Sequence, residues 1–167
     1  MAEWRTRQAT GADLEAVAEV RAAAMRGDLE RLGRYDEHRV RQRLRDAWVP
    51  EHTLVVEEED GAVVGCVALR PAEDAHWLEH FYLAPRVQGR GIGTALLKRL
   101  LEDADRDGRR VRLDVLQGSA ARRLYERHGF VFEREDSVDV FLVREPRPRY
   151  GWFASDSGLP VGGGRSS

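Results

Sequence analysis

Cysteine is nearly absent from the 167-residue sequence: Cys66 is its only example, which excludes an internal disulfide and a cysteine metal cluster. Long apolar runs are also missing, and none approaches the roughly 18 residues that a membrane-spanning helix needs. The opening segment MAEWRTRQAT lacks the apolar core of a signal peptide. A formal net charge of −2 argues against a protein that binds nucleic acid through its charge. We therefore expect a cytoplasmic protein with no metal, no nucleic-acid partner and no membrane anchor.

The composition indicates one folded domain followed by a tail. Hydrophobic residues make up 42% of the sequence and charged residues 34%, as is typical of a single globular domain of this length. Three prolines, five glycines and four serines fall within residues 144–167. We assign residues 1–145 to the domain and 146–167 to a mobile Pro/Gly/Ser-rich tail. Trp152 and Phe153 in this tail are candidates for docking on a second copy, which leaves a homodimer open.

Apolar spacing and turn residues divide the domain into eleven elements. Thr10 and Asp13 form a capping box before the first helix, and Asp60-Gly61 joins two strand-like runs as a hairpin. The predicted elements are a strand at 4–9, helices after residue 10 and around 36–48, strands on either side of the hairpin and in HWLEHFYLAP, a helix that ends near Gly108, a strand at 110–116, a helix at 120–128, and the strands FVFER and VDVFLV. The order β-α-α-β-β-β-α-β-α-β-β describes a mixed α/β domain.

The segment RVQGRGIGTALLKRL, residues 86–100, places three glycines directly before an amphipathic helix. A strand, a glycine-rich turn and a helix N-terminus form an anion site, because the free N–H groups of the first turn and the helix dipole attract negative charge. Arg86 and Arg90 add positive charge nearby. The segment has neither the Gly-Lys-Ser/Thr of a P-loop nor the GxGxxG of a dinucleotide site. We therefore expect a phosphorylated ligand of another kind.

Two segments resemble one known family. Residues 88–93, QGRGIG, match the Q/R-x-x-G-x-G/A signature of the GNAT superfamily, the acetyl-CoA-dependent N-acetyltransferases, and AARRLYERHGF (120–130) matches its A-x-x-L-Y-x-x-x-G-F element. The order of elements is also that of the family, so the resemblance covers residues 4–143. It implies a single domain with a mixed, mostly antiparallel central sheet flanked by helices. It also implies that an acetyl group passes from acetyl-CoA to a primary amine of a small molecule or peptide by direct attack in a ternary complex.

The resemblance further implies where the coenzyme would lie. The loop that would hold its pyrophosphate consists of Gln88, Gly89, Arg90, Gly91, Ile92, Gly93 and Thr94. The backbone of Leu83 and Ala84 would pair with the pantetheine arm like an added strand, and the Leu83 N–H is a candidate to stabilise the oxyanion. Gly118 stands where the family usually carries an asparagine that faces the coenzyme. Gln117 or Ser119 is expected to supply that contact instead.

The same resemblance points to Tyr125 as a general acid that also borders the coenzyme. A phenol with a pKa of about 10 is a weaker acid than a thiol at about 8.5, so full proton transfer to the leaving thiolate is uphill by roughly 2 kcal/mol. We therefore expect Tyr125 to act as a hydrogen-bond donor as much as a proton donor. Glu79 is the candidate base, relaying the amine proton through water, and His80 is the alternative. Strict alternation places Trp77, Glu79 and Phe81 on one sheet face and Leu78, His80 and Tyr82 on the other.

The acceptor pocket is less defined by the sequence. The resemblance implies a pocket built by the first two helices and the final hairpin, and its candidate residues are Trp4, Met25, Tyr35, Asp36, Trp48, Asp139 and Phe141. The acidic members suit a cationic amine, and the aromatic members equally suit an amino acid or a peptide. Cys66, in a buried-looking strand, is expected to pack and not to react. A non-catalytic acyl-CoA-binding sensor module is the alternative to an enzyme, and a nucleotide-binding regulatory domain is disfavoured by the missing P-loop residues.

Overall fold

The computed structural model of the protein describes residues 3–148 and contains the eleven elements in the expected order. Their bounds are β1 Trp4–Gln8, α1 Leu14–Arg31, α2 Glu37–Asp46, β2 Thr53–Glu58, β3 Val63–Pro71, β4 His76–Leu83, α3 Ile92–Arg106, β5 Val111–Leu116, α4 Ala121–Arg127, β6 Val131–Glu135 and β7 Asp139–Arg144. The predicted α/β fold, with a mostly antiparallel central sheet flanked by helices, is confirmed.

The seven strands form one sheet in the order β1-β2-β3-β4-β5-β7-β6. Neighbouring strands are antiparallel except β4 and β5, which are parallel. These two pair only at His76 with Val111 and at Trp77 with Arg112, so they diverge from Leu78 onward. The resulting gap between β4 and β5 is the feature that positions the site.

Helices cover both faces of the sheet. On one face, Leu97 and Leu101 of α3 and Tyr125 of α4 join a core with Leu113 of β5. On the other face, residues of α1 and α2 such as Val17 and Leu44 pack against Val55 and Cys66. Along β5, alternate residues are buried, so Val111, Leu113 and Val115 face α3 and α4, whereas Arg112 and Asp114 face the opposite side.

A bulge in β4 overturns the strict alternation that the sequence suggested. Cys66 and Ala68, two residues apart on β3, pair with Tyr82 and Glu79, which are three residues apart on β4. The extra residue is accommodated at His80, whose φ of 49° is the only positive value among the non-glycine residues that the structure describes. Beyond the bulge the faces exchange. Phe81 therefore packs towards α3 and α4, and Tyr82 joins Glu79 on the side of α1 and α2.

The predicted turns and caps form as expected. The Thr10 hydroxyl accepts a hydrogen bond from the Ala12 amide at 3.2 Å, and the Asp13 carboxylate accepts one from the Thr10 amide at 2.8 Å, in a short 3₁₀ turn that precedes α1. The Gly61 amide donates to the Glu58 carbonyl at 2.8 Å and closes the hairpin between β2 and β3. Local chemistry alone fixes these two features.

The boundary between domain and tail stays a prediction. Arg147, just inside the predicted tail, donates its amide to Asp105 at 2.9 Å, so the chain follows the domain up to this point. Trp152 and Phe153 lie outside the described residues. Within residues 3–148, no helix is both long enough and apolar enough to cross a membrane. Nor does this part of the chain bring together three or more His, Cys, Asp or Glu side chains in an arrangement that would hold a metal ion.

Candidate functional site

The gap between β4 and β5 opens into a cleft of about 1550 Å³. Its walls come from α1 and α2 on one side and from α4 and the glycine loop on the other. Among the predicted site residues, those that line it are Glu79, His80, Leu83, Gln88, Gly89, Gly93, Ser119 and Tyr125. The cleft therefore brings the predicted coenzyme loop and the predicted catalytic residues together in one cavity.

The glycine loop forms an anion site made of backbone amides. Gly89 and Gly91 have φ values of 79° and 82°, a left-handed conformation that glycine adopts without strain. Gly91 is the N-cap of α3, and no side chain caps this helix end. Between residues 89 and 94, no amide donates a hydrogen bond to another group of the described chain, and the first partnered amide is Ala95, which donates to the Gly91 carbonyl at 3.1 Å. Six consecutive free donors at a helix N-terminus suit a pyrophosphate.

Space for a ligand lies beside these amides. A Cβ atom added at Gly89 or Gly91 would meet no other atom within 4 Å. The side chain of Ile92 is buried in the core, so only its amide is available to a ligand. Five of the predicted coenzyme contacts do not themselves line the cleft: Ala84, Arg90, Gly91, Ile92 and Thr94. The residues present fit the phosphate part of acetyl-CoA through their backbone and through open space.

The edge of β4 beside the gap offers the predicted pantetheine contacts. The Ala84 amide donates to the Val64 carbonyl at 2.7 Å, on the β3 side, so the backbone groups of Leu83 point into the gap. In this structure the Leu83 carbonyl accepts a hydrogen bond from Gln88 Nε2 at 3.0 Å. Gln88 therefore occupies the acceptor that an added strand would use, and a bound pantetheine would displace or share that bond.

The two arginines of the loop are partly neutralised. Arg86 Nη1 lies 2.7 Å from Glu58 Oε1, and Arg90 Nη1 lies 3.9 Å from the same oxygen. Arg86 is therefore paired, whereas Arg90 is only loosely held and remains able to turn towards an anion on the loop.

Tyr125 is buried against the gap. It is 6% exposed, and its ring lies 5.6 Å from that of Phe130 and 6.3 Å from that of Phe81 between centroids. Burial, followed by the nearby Tyr82 and Asp114, raises the pKa of the Tyr125 hydroxyl. The hydroxyl is thus protonated at neutral pH, and no side-chain hydrogen bond within residues 3–148 involves it. It is a free donor at the wall of the cleft.

Glu79 lies in the cleft, but its carboxylate is held by an ion pair. Arg70 Nη2 lies 2.8 Å from Glu79 Oε1, and Arg70 Nε contacts both carboxylate oxygens at 3.1 and 3.2 Å. This bidentate pair spans the neighbouring strands β3 and β4 and orients the carboxylate. Because the oxygens are already engaged, Glu79 is less available for proton transfer than the sequence suggested, and its role as base stays a prediction.

Asp114, which the sequence analysis missed, faces the same space together with the predicted acceptor residue Asp139. Asp114 of β5 and Asp139 of β7 both line the cleft. Burial raises the pKa of Asp114, and repulsion from Asp139, a hydrogen bond with Asp139 and repulsion from Glu79 raise it further. Asp114 is exposed to the solvent in the open cleft. The surrounding walls nevertheless remove part of the hydration of its carboxyl, which is the desolvation that raises its pKa. The negative charge of Asp139 thus disfavours ionisation of Asp114.

His80, the alternative base, sits close to Tyr82. Its Nδ1 lies 3.2 Å from the Tyr82 hydroxyl. Burial lowers the pKa of His80, Glu79 opposes this, and Arg21 and Arg70 add to it. The imidazole is therefore neutral at pH 7. Both His80 and Glu79 line the cleft.

Arg21 is a second cleft residue that the sequence analysis missed. Only 8% exposed, it donates from Nε to the Val40 carbonyl at 2.7 Å and from Nη1 to the Tyr82 hydroxyl. It thereby fixes α1, α2 and the end of β4 relative to one another. The predicted packing role of Cys66 is also observed, because its thiol is fully buried, donates to the His80 carbonyl at 3.0 Å and has a pKa raised by burial to about 12.

Gly118, where the family usually carries an asparagine, lies against the guanidinium of Arg31. Its φ is 77°, and an added Cβ would lie 2.7 Å from Nη1 of Arg31, which donates from Nη2 to the Gln117 carbonyl at 2.6 Å. Gln117 cannot supply the missing contact, because its side chain donates to Glu135 and the Asp136 carbonyl, away from the cleft. Ser119 lines the cleft, and its hydroxyl accepts from the Ala121 amide at 3.2 Å, so it remains the candidate.

The acceptor candidates divide into two groups. Met25, Tyr35, Asp36 and Asp139 line the cleft as expected. The other three, Trp4, Trp48 and Phe141, do not line it. Trp4 and Trp48 pack against the core. The ring of Phe141 lies under the guanidinium of Arg134, whose Cζ is 3.7 Å from the ring centroid. Asp36 caps α2 by accepting from the Arg39 amide at 2.7 Å, so its carboxylate is already used.

Known proteins with the same fold include acetyltransferases. The PaiA N-acetyltransferase of Thermoplasma acidophilum, solved with coenzyme A, is 22% identical over 86% of this chain and 99% of its own, with a TM-score of 0.70. The ribosomal-protein-S18-alanine N-acetyltransferase of Escherichia coli is 18% identical over 86% and 94%, with a TM-score of 0.67. N-acetylglutamate synthase of Neisseria gonorrhoeae, solved with coenzyme A and L-arginine, is 22% identical over 87% and 34%, with a TM-score of 0.58.

At these identities the three structures show a shared fold. No curated protein sequence matches the chain. The sequence model of the acetyltransferase (GNAT) family matches residues 16–130, which include the cleft-lining parts of β4, β5, the glycine loop and α4. The chain belongs to the GNAT acetyltransferase family.

Proposed function

We propose that the protein is an N-acetyltransferase that transfers an acetyl group from acetyl-CoA to a primary amine by direct attack in a ternary complex. The observation that carries this proposal is the row of free amides at residues 89–94, at one end of a cleft whose walls carry Tyr125 and Asp114. An anion site and two proton-handling groups in one cavity suit acyl transfer from a phosphorylated donor.

The coenzyme would be held chiefly by backbone. The free amides of the glycine loop suit its pyrophosphate, and the gap-facing backbone of Leu83 suits the pantetheine arm. Acetyl-CoA supplies a thioester, whose acyl carbon is open to attack by an amine. The solved relatives from Thermoplasma acidophilum and Neisseria gonorrhoeae were both obtained with coenzyme A, which supports this choice of donor.

Asp114 is the better-placed base in this proposal. The acceptor is an ammonium at neutral pH and must lose a proton to become the nucleophilic amine, and a carboxyl with a raised pKa is better matched to this ammonium than an ordinary aspartate is. Asp114 accepts that proton. Glu79, held by Arg70, contributes negative charge that attracts the ammonium. Its alternative role as the base is tested by the same experiment as that of Asp114.

Tyr125 and Leu83 act on the thioester itself, at its sulfur and at its acyl oxygen. The Leu83 N–H lies on the gap edge of β4 and donates to the acyl oxygen as negative charge develops there. The Tyr125 hydroxyl donates a hydrogen bond to the departing sulfur. Since burial raises the pKa of Tyr125 above that of an ordinary phenol, donation without full proton transfer is the favoured form of this help.

Calorimetric titration with acetyl-CoA tests the donor. We expect micromolar binding that Gly91→Asp abolishes, because the new carboxylate would stand in the anion site. Thiol release in the presence of a panel of primary amines then tests turnover, with Asp114→Asn and Glu79→Gln compared to identify the base. Binding without thiol release for any amine would instead indicate the non-catalytic acyl-CoA sensor, and no binding to the wild type would remove the proposal.

A further inference from the structure

Three arginines on the acceptor side of the cleft have no partner for their charge. Arg34, Arg39 and Arg43 all line the cavity. Within residues 3–148 their guanidinium groups form neither a salt bridge nor a side-chain hydrogen bond, as those of most other arginines do. Arg39 and Arg43 are one turn apart on α2 and therefore point in the same direction.

The other two arginines of α2 show the contrast. Arg41 lies 2.6 Å from Glu19, and Arg45 lies 2.9 Å from Glu15, so both pair with α1 on the far side of the helix. The helix thus sends its paired arginines towards α1 and leaves its unpaired ones facing the cleft. In this arrangement guanidinium groups that form no direct ion pair border the space where the acceptor must bind.

These guanidinium groups lie next to the acidic pair Asp114 and Asp139. The charges of Arg43 and Arg34 both act on Asp139, where they oppose the rise in its pKa that burial causes. Asp139 lies on β7, diagonally across from Asp114 on β5, and both line the cleft with Glu79. The acceptor end of the cleft therefore has a negative pole of carboxyl groups and a positive pole of guanidinium groups within electrostatic reach of each other.

We propose that the acceptor is an amine that also carries a carboxylate, as an amino acid does. Arg39 and Arg43, with Arg34 beside them, bind the carboxylate, and the acidic pair receives the ammonium group. Guanidinium groups suit this task because they form two parallel hydrogen bonds with a carboxylate. The inference rests on the proposed acetyltransferase function and names the substrate class for the same site.

The test uses matched acceptors with and without the carboxylate. The full-length protein is supplied with acetyl-CoA and with each proteinogenic L-amino acid or its α-carboxamide, and thiol release is measured. For the best amino acid we expect kcat/KM to exceed that of its carboxamide by about tenfold or more. If the side-chain carboxylate is the one bound, the carboxamides of aspartate and glutamate retain activity, whereas binding of the α-carboxylate gives a loss for all carboxamides.

Variants of α2 connect this preference to the arginines. Arg39→Ala and Arg43→Ala should each raise KM for the best amino acid by about tenfold, with kcat and the activity on carboxylate-free amines little changed. Arg41→Ala and Arg45→Ala, on the same helix but paired with α1, are the matched controls and should leave KM unchanged.

Two results would overturn the proposal: equal or better activity on carboxamides without a preference for aspartate and glutamate, or no acetylation of any amino acid. An unchanged KM in the Arg39→Ala/Arg43→Ala double variant would also overturn it. Failure of the proposed function itself is seen separately, because acetyl-CoA would then give no binding heat before any acceptor is added.

Discussion

Replacing Gly91 by alanine should reduce both the stability of the protein and its affinity for acetyl-CoA. Gly91 has a φ of 82°, and a Cβ there would meet no atom within 4 Å, so the cost in the free protein is conformational. An L-residue in this left-handed region costs about 1–2 kcal/mol, and the lower entropy of the unfolded alanine chain returns about 0.4–1 kcal/mol. We therefore expect a net loss of about 1 kcal/mol, or about 2–4 °C in Tm.

The other end of the same helix supplies a matched control. Gly108 follows α3 with a φ of 64°, and a Cβ there would also meet nothing within 4 Å. Gly108→Ala should therefore lower Tm by a similar amount. Gly108 lies at the opposite end of α3 from the free amides of the glycine loop, so the acetyl-CoA affinity of this variant should equal that of the wild type.

Only Gly91→Ala should weaken coenzyme binding, because its methyl group enters the open space beside the free amides. We expect Kd for acetyl-CoA to rise at least about tenfold, or about 1.4 kcal/mol, when measured by calorimetry with both variants at a temperature where they are folded. Equal Kd values for the two variants would refute the assignment of the glycine loop as the anion site, whatever their Tm values.

Three further predictions concern the acid, the base and the framework. Tyr125→Phe should lower the rate of thiol release by about 100-fold while Tm changes by less than about 2 °C, because the ring remains and only an unpartnered hydroxyl is lost; an unchanged rate would remove Tyr125 from the mechanism. For Asp114, burial raises the folded pKa above the unfolded value, so the ionised carboxyl opposes folding and stability falls as the pH rises through that interval. Urea denaturation at roughly pH 4 and pH 7 should show that Asp114→Asn is more stable relative to wild type at the higher pH, with thiol release lost. Arg144 is 4% exposed and paired with Asp105 at 2.7 Å, so Arg144→Ala should cost about 3–5 kcal/mol in the free energy of unfolding, whereas Arg45→Ala, on an exposed pair, should cost less than about 1 kcal/mol.

The parts of the site that the sequence predicted are those that depend on residues close together in the chain. The glycine loop and the buried stripe of α3 both follow from local spacing, and the structure places them as expected. Asp114 and Asp139 come together only because β7 inserts between β5 and β6, which aligns Leu116 with Asp139. This pairing joins residues far apart in the chain. Alternation along VRLDVL places Asp114 on the face opposite Val111, Leu113 and Val115, so this segment alone does not distinguish it from an ordinary solvent-facing carboxylate.

The ion-pair partner of Glu79 also could not be predicted from the sequence. Its position on β4 was predicted correctly, but its partner Arg70 lies on β3, across the turn that joins the two strands, and the register is shifted only beyond Glu79, by the bulge at His80. A one-residue shift exchanges the faces of a strand, and no periodic pattern in HWLEHFYL marks it. The unpartnered arginines of α2 were likewise undetectable, because the sequence does not show which of its four arginines face α1.

The bulge at His80 also determines which chemistry the gap can hold. Without the extra residue, Phe81 and Glu79 would share a face, and Tyr82 would point towards α3 and α4. With it, Phe81 packs beside Tyr125 on the coenzyme side, whereas Glu79 and Tyr82 face the acceptor side. A left-handed φ at a non-glycine residue costs on the order of 1–3 kcal/mol, and here the Cys66 thiol, which donates to the His80 carbonyl at 3.0 Å, helps to hold it. His80 lies in the part of β4 that no longer pairs with β5, and it lines the cleft in which, under the proposed function, an acceptor amine would reach the thioester.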